Sequence, residues 1–150
     1  MQTEGQTLSL RCRFNYSEEE NFMKKDIKVL VVDDEPNILL SLEFLMKKEG
    51  FLVFIARDGE EAFEIIRRER PQIVLLDIMM PRVDGYQVCR FIREDNEFNH
   101  AKVVFLSAKS KEVDIEKGYE IGADLYIPKP FSTRDLVKKV NLLATDVFAA

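Results

Sequence analysis

Apolar residues are laid out along the chain in two patterns that take turns. One is a short unbroken run: Ile27 with Val29, Leu30, Val31 and Val32, then residues 51–56, 73–76, 103–106 and 125–127. A run without polar alternation suits a strand buried on both faces, as in a parallel sheet. The other pattern spaces apolar residues by three and four, which gives a helix one buried face. Ile38, Leu39, Leu42, Leu45 and Met46 follow the first run in this way. Ala62, Phe63, Ile65 and Ile66 follow the second, and Val88, Phe91 and Ile92 the third. A helix over residues 111–121 follows the fourth, and Leu136, Val137, Val140 and Leu143 mark the last, with about six residues beyond it. Pro36 suits a first helical turn, Gly50 and Gly122 suit helix ends, and Pro71 is a stop.

Strand and helix alternate about five times, which predicts an α/β fold: a doubly wound, five-stranded parallel sheet with helices on both faces. The regular region runs over residues 27–146. Residues 1–26 stand apart. Leu8, Leu10, Cys12, Phe14 and Tyr16 alternate with polar residues, and Ser17 and Glu20 have capping-box spacing for a short helix over 18–25. Two readings remain for this extension, a disordered tail or an added strand that pairs with a sheet edge or a second copy.

Strand ends on one side of such a sheet collect the chemistry. The first run ends at Asp33-Asp34-Glu35, the third at Asp77, and the fourth at Ser107, while Lys129 follows the fifth. In open α/β sheets the carboxyl ends of the strands line the ligand crevice. Asp34 is expected to cap the helix that begins at Pro36, with Glu35 favouring its dipole. Three clustered carboxylates raise one another's pKa values, a conflict that a hard divalent cation such as Mg²⁺ removes. With the Lys129 ammonium added, the crevice suits a phosphoryl group, and Asp77 is placed as an in-line carboxylate nucleophile.

Composition narrows the function further. The 150 residues are 46% hydrophobic and 33% charged, with a net charge of −5. That balance describes a globular domain and argues against general nucleic-acid affinity. No run approaches membrane-spanning length, and the N-terminus lacks a basic start followed by an apolar core, so the cytoplasm is expected. Cys12 and Cys89 lack metal-ligand spacing and read as reduced thiols, and His100 is the one histidine, so a zinc site is not expected.

The motifs VVDDE (31–35), LLDIMMPRVDG (75–85), LSA (106–108) and GADLYIPKPF (122–131) together resemble the receiver domain of two-component response regulators, over residues 27–144. The resemblance implies a flavodoxin-like fold and a phosphoacceptor, Asp77. It implies Mg²⁺ (or Mn²⁺) held by Asp34 and Asp77, by Asp33 through water, and by the Met79 backbone carbonyl. Ser107 and Lys129 would contact the phosphoryl group, and the Lys129–Pro130 bond would be cis. Tyr126 would rotate from exposed to buried as Ser107 moves inward, repacking the surface of the fourth helix, fifth strand and fifth helix. Implied partners are a sensor histidine kinase or histidine phosphotransfer protein as donor, and a downstream effector or a homodimer as output. No independent turnover substrate is expected, only self-catalysed phosphorylation and dephosphorylation. Met79 and Lys109 stand at two positions that tune phosphoryl lifetime in the family; neither readily orients a water, so slow to moderate loss is expected.

Three other readings compete. A nucleotide or flavin site would need glycines where Asp33-Asp34-Glu35-Pro36 stands. An aspartyl-phosphate phosphatase would need a second acid where Met79 stands. A phosphorylation-independent interaction or scaffold domain on the same fold would not need the acids, Ser107 and Lys129.

Overall fold

The third strand is walled in on every side. Its five residues, Ile73–Asp77, are all buried, and it pairs in parallel with a strand on each side. The computed structural model describes residues 24–149. Over them the elements run β1 (Lys28–Val32), α1 (Pro36–Lys48), β2 (Leu52–Ala56), α2 (Gly59–Glu69) and β3 (Ile73–Asp77). There follow α3 (Gly85–Glu94), β4 (Lys102–Ser107), α4 (Glu112–Ile121), β5 (Leu125–Pro128) and α5 (Thr133–Ala149). The sheet is five-stranded and parallel in the order β2-β1-β3-β4-β5. The expected strand at residues 8–16 falls outside the described residues, as does all of the expected helix over 18–25 except its last two positions.

Alternation along each strand explains why the apolar runs are unbroken. Leu30, Val32, Val74, Leu76, Val103 and Phe105 face one core, shared with Ala62, Ile65 and Ile66 of α2 and Val88, Cys89 and Ile92 of α3. Val29, Val31, Ile73, Leu75, Val104 and Leu106 face the other, shared with Leu39, Leu42 and Met46 of α1 and Leu136, Val140 and Leu143 of α5. Each large side chain so buried contributes roughly 1.5–3 kcal/mol. A one-residue slip in any central strand would exchange the two faces, so the register is well defined. The last helix is longer than the sequence expectation: it continues to Ala149, because Ala144 and Val147 carry its apolar stripe past Leu143. No helix among the described residues is long and apolar enough to cross a membrane.

Register carries the strand ends to one edge. Val32 pairs with Leu76, Asp77 with Leu106, and Ser107 with Pro128. Asp33 and Lys129 each extend the ladder one step, through Asp33 N–H to the Ala56 carbonyl at 3.2 Å and Lys129 N–H to the Ser107 carbonyl at 2.8 Å. The start of α3 closes against the end of β3. Asp84 and Gln87 form a capping box, and Gly85 N–H donates to the Ile78 carbonyl at 2.9 Å.

Glycine is required for that approach. A Cβ on residue 85 would lie 2.8 Å from Ile78 Cα and closer still to the Asp77 carbonyl oxygen. Both obstacles are backbone and cannot rotate away. Gly85→Ala is therefore expected to lower the unfolding free energy by about 3 kcal/mol, read as a lower urea midpoint with an unchanged slope.

Candidate functional site

The turn after β1 is built around a buried acid. Asp33 is 1% exposed. Its Oδ1 accepts the Glu35 N–H at 2.9 Å and its Oδ2 accepts from Lys129 Nζ at 2.9 Å. This corrects the expected cap. Glu35, not Asp34, stands at the N-cap of α1, with no side-chain capping bond. Asp33 already holds the turn by taking the Glu35 N–H, and the Asp34 carboxylate is free to join the acid cluster. Pro36 opens the helix as the sequence suggested.

Asp77 ends β3 with its carboxylate 6% exposed and Lys129 Nζ 3.6 Å from Oδ1. Burial, then the charge of Asp33, raises its pKa to about 6; Lys129 and the Met79 backbone amide oppose the rise, and Asp34 adds to it. For Lys129, burial pulls the pKa down, but the hydrogen bond to Asp33 and the charges of Asp77, Asp33 and Glu35 outweigh it and hold the ammonium above its ordinary value. One ammonium thus faces three acids.

That imbalance suits a hard cation. Asp33, Asp34 and Asp77 each offer a carboxylate oxygen, all within 4.8 Å of one another, and two of the three acids are buried. Oxygen donors on a rigid sheet edge are the set that Mg²⁺ takes, usually alongside retained waters. Met79 follows two residues after Asp77 and is 57% exposed, beside the mouth of a cleft lined by Ile78, Met79, Met80, Asp84 and Lys109.

The remaining predicted residues lie on the β4–β5 side. Ser107 is fully buried, and its Oγ accepts the Lys109 N–H at 3.1 Å. Tyr126 is buried too, and its hydroxyl donates to the Lys109 carbonyl at 2.6 Å. The Lys129–Pro130 bond is cis. His100 is exposed and lines a separate groove with Arg70, Phe98 and Lys102. Cys89 is buried, and burial pushes its thiol up to about 11, so it is inert.

Sequence reasoning missed Arg93. Its Nε donates to the Gly122 carbonyl at 2.8 Å, and its Nη2 donates to Asp124 Oδ2 at 2.8 Å. The same Asp124 oxygen accepts the Val103 N–H at 2.8 Å. One guanidinium thereby ties the end of α3 to the end of α4. An arginine in a last helical turn carries no local signal of such a role.

The acid cluster sets a pH dependence. Between about pH 4 and 6 the folded chain keeps a proton on Asp77 that the unfolded chain has lost. Metal-free stability therefore falls as pH rises through that window, by about 3 kcal/mol from this group. Asp77→Asn is expected to regain most of that at pH 7 and to flatten the dependence, measured by urea unfolding in chelator.

The response regulator receiver domain family matches residues 29–141. A solved response regulator 1452 receiver domain from Francisella is 31% identical, covers 81% of this chain and 99% of its own, and superposes with a TM-score of 0.76. A BeF3-activated DrrB receiver domain is 33% identical over 79% of this chain and 97% of its own, with a TM-score of 0.73. The chemotaxis protein CheY4 of Vibrio cholerae is 25% identical over 78% of this chain and 98% of its own, with a TM-score of 0.74. With its parallel sheet, its strand-end acids and this match across most of its length, the chain belongs to the response regulator receiver domain family of two-component signalling.

Proposed function

We propose that this domain accepts a phosphoryl group on Asp77 from a histidine kinase or histidine phosphotransfer protein in the cytoplasm. The observation that carries the reading is the buried Asp77 carboxylate, close to Asp33 and Asp34 and 3.6 Å from the Lys129 ammonium. Raised as its pKa is, to about 6, Asp77 is mostly ionised at neutral pH and is a competent nucleophile. An Asp77 carboxylate oxygen attacks phosphorus, the donor's P–N bond breaks with its electron pair on the imidazole, and an acyl phosphate forms. Lys129 is near enough to trade part of its hold on the carboxylates for a phosphoryl oxygen. The Ser107 hydroxyl is the second donor on that side.

Asp33, Asp34, Asp77 and the Met79 carbonyl would hold Mg²⁺ or Mn²⁺, which supplies positive charge to the phosphoryl oxygens. The acids themselves cannot do this, since an anion approaching them bare is repelled. The domain catalyses its own phosphorylation and the later hydrolysis of the acyl phosphate. A change at Ser107 is passed through Tyr126 to the surface of α4, β5 and α5, where an effector or a second copy would bind. Neither Met79 nor Lys109 carries a carboxylate or amide to orient an attacking water, so loss of the acyl phosphate is slow to moderate.

Full-length protein given acetyl phosphate and Mg²⁺ is expected to gain the mass of one phosphoryl group. Asp77→Asn and excess chelator should each abolish the gain. A gain that persists unchanged in Asp77→Asn would overturn the assignment. In the same assay the adduct should decay over minutes or longer; decay within seconds would show that another residue positions the water.

A further inference from the structure

The Tyr126 ring fills a space that α4 leaves open at one residue. Gly118 is the buried position of that helix. A Cβ there would lie 2.8 Å from Tyr126 Cδ2, 3.2 Å from Tyr126 Cε2 and 3.1 Å from Phe105 Cδ2. These atoms belong to two buried rings, packed edge to face with centroids 6.1 Å apart. Neither ring is the far end of a flexible chain, so a methyl group at 118 and the ring at its present place exclude one another.

Three bonds decide which of the two would give way. The Tyr126 backbone N–H donates to the Tyr119 hydroxyl at 3.1 Å, and the Tyr126 hydroxyl donates to the Lys109 carbonyl at 2.6 Å. The first bond joins β5 to α4, while the second ties the ring itself to the loop between β4 and α4 and is given up when the ring leaves. Arg93 fixes the far end of α4 through the Gly122 carbonyl at 2.8 Å. Held there, the helix cannot step back as a body, whereas the Tyr126 side chain needs one rotation about χ1 to reach solvent.

We propose that Gly118 is the positioning residue that admits the Tyr126 ring between α4 and β4, and so sets how far the buried ring is populated before any phosphoryl group arrives. Glycine costs an α-helix stability relative to alanine, and here the missing side chain is the ring's seat. The consequence for signalling rests on the reading above, in which ring position follows the state of Asp77. The seat itself does not. A side chain at 118 would shift the resting equilibrium toward the exposed ring without touching the acids, Ser107 or Lys129.

The test uses unphosphorylated full-length protein and tetranitromethane, with nitrated tyrosines located by mass spectrometry. In the wild type Tyr126 should react several-fold more slowly than Tyr119, which is 45% exposed. In Gly118→Ala that protection should be lost. Equal protection of Tyr126 in the two proteins would overturn the proposal. Melting temperatures supply a second reading that survives a poorly folding variant. Gly118→Ala should lower the wild-type value, yet leave Tyr126→Ala unchanged or raise it, since the ring is gone and alanine favours helix. The same loss in both backgrounds would place the clash elsewhere and also overturn it. Phosphoryl uptake from acetyl phosphate is followed on the same samples and should persist in Gly118→Ala. If no sample takes it up, the role of Asp77 fails, while nitration still decides the role of Gly118.

Discussion

Like charges forced together at the end of a rigid sheet are the constraint on which the site depends. Asp33 and Asp77 are nearly without solvent, Asp34 stands within reach of both, and Lys129 alone among the described residues bridges the first two. Burial first, and then the repulsion, raises the pKa of Asp77. The backbone cannot draw apart to relieve the repulsion, because the strands that lead into these acids are buried and paired on both sides. The two cores hold the groups in a conflict that a cation would relieve.

From Ser107 to the outer surface the contacts are contiguous. Ser107 Oγ takes the Lys109 N–H, the Lys109 carbonyl takes the Tyr126 hydroxyl, and the Tyr126 ring rests where Gly118 has no side chain. Each link joins neighbours already tied to the sheet or to α4. The rotation proposed for Tyr126 would act through this chain of contacts. Lys109 belongs to that chain through its backbone as well as by its place near the crevice.

Much of the fold was legible because burial on two faces leaves a plain mark. The run 73–76 could be nothing polar or half-exposed, and α2 and α3 stand where their apolar spacing placed a helix. The acid cluster was legible once the sheet was taken as parallel, since strand ends then share an edge. What failed to show was chosen by competition among similar groups. Any of Asp33, Asp34 and Glu35 could have served the start of α1, and the outcome turned on Lys129, distant in sequence, drawing Asp33 inward. The reach of Arg93 depends likewise on two loops, residues 95–101 and 122–124, meeting at its guanidinium. The length of α5 was hidden by Thr145 and Asp146, polar residues on its outer side. Tyr126 is found buried, the position in which the expected rotation would end, and a tyrosine on a short edge strand carries no mark in sequence of how deeply its ring is packed.

The continuity of Asp77 with β3 bears on how the acyl phosphate proposed for it would be protected. A reactive group on a loop can be reached by bulk water whenever the loop frays. Here the residue before it, Leu76, is fully buried and laddered to both neighbours. Fraying of the central strand needs the whole domain to open, an event as rare as global unfolding. Adventitious hydrolysis through local breathing would therefore be closed off, and the lifetime of the proposed acyl phosphate would be left to the few side chains at the rim of the crevice.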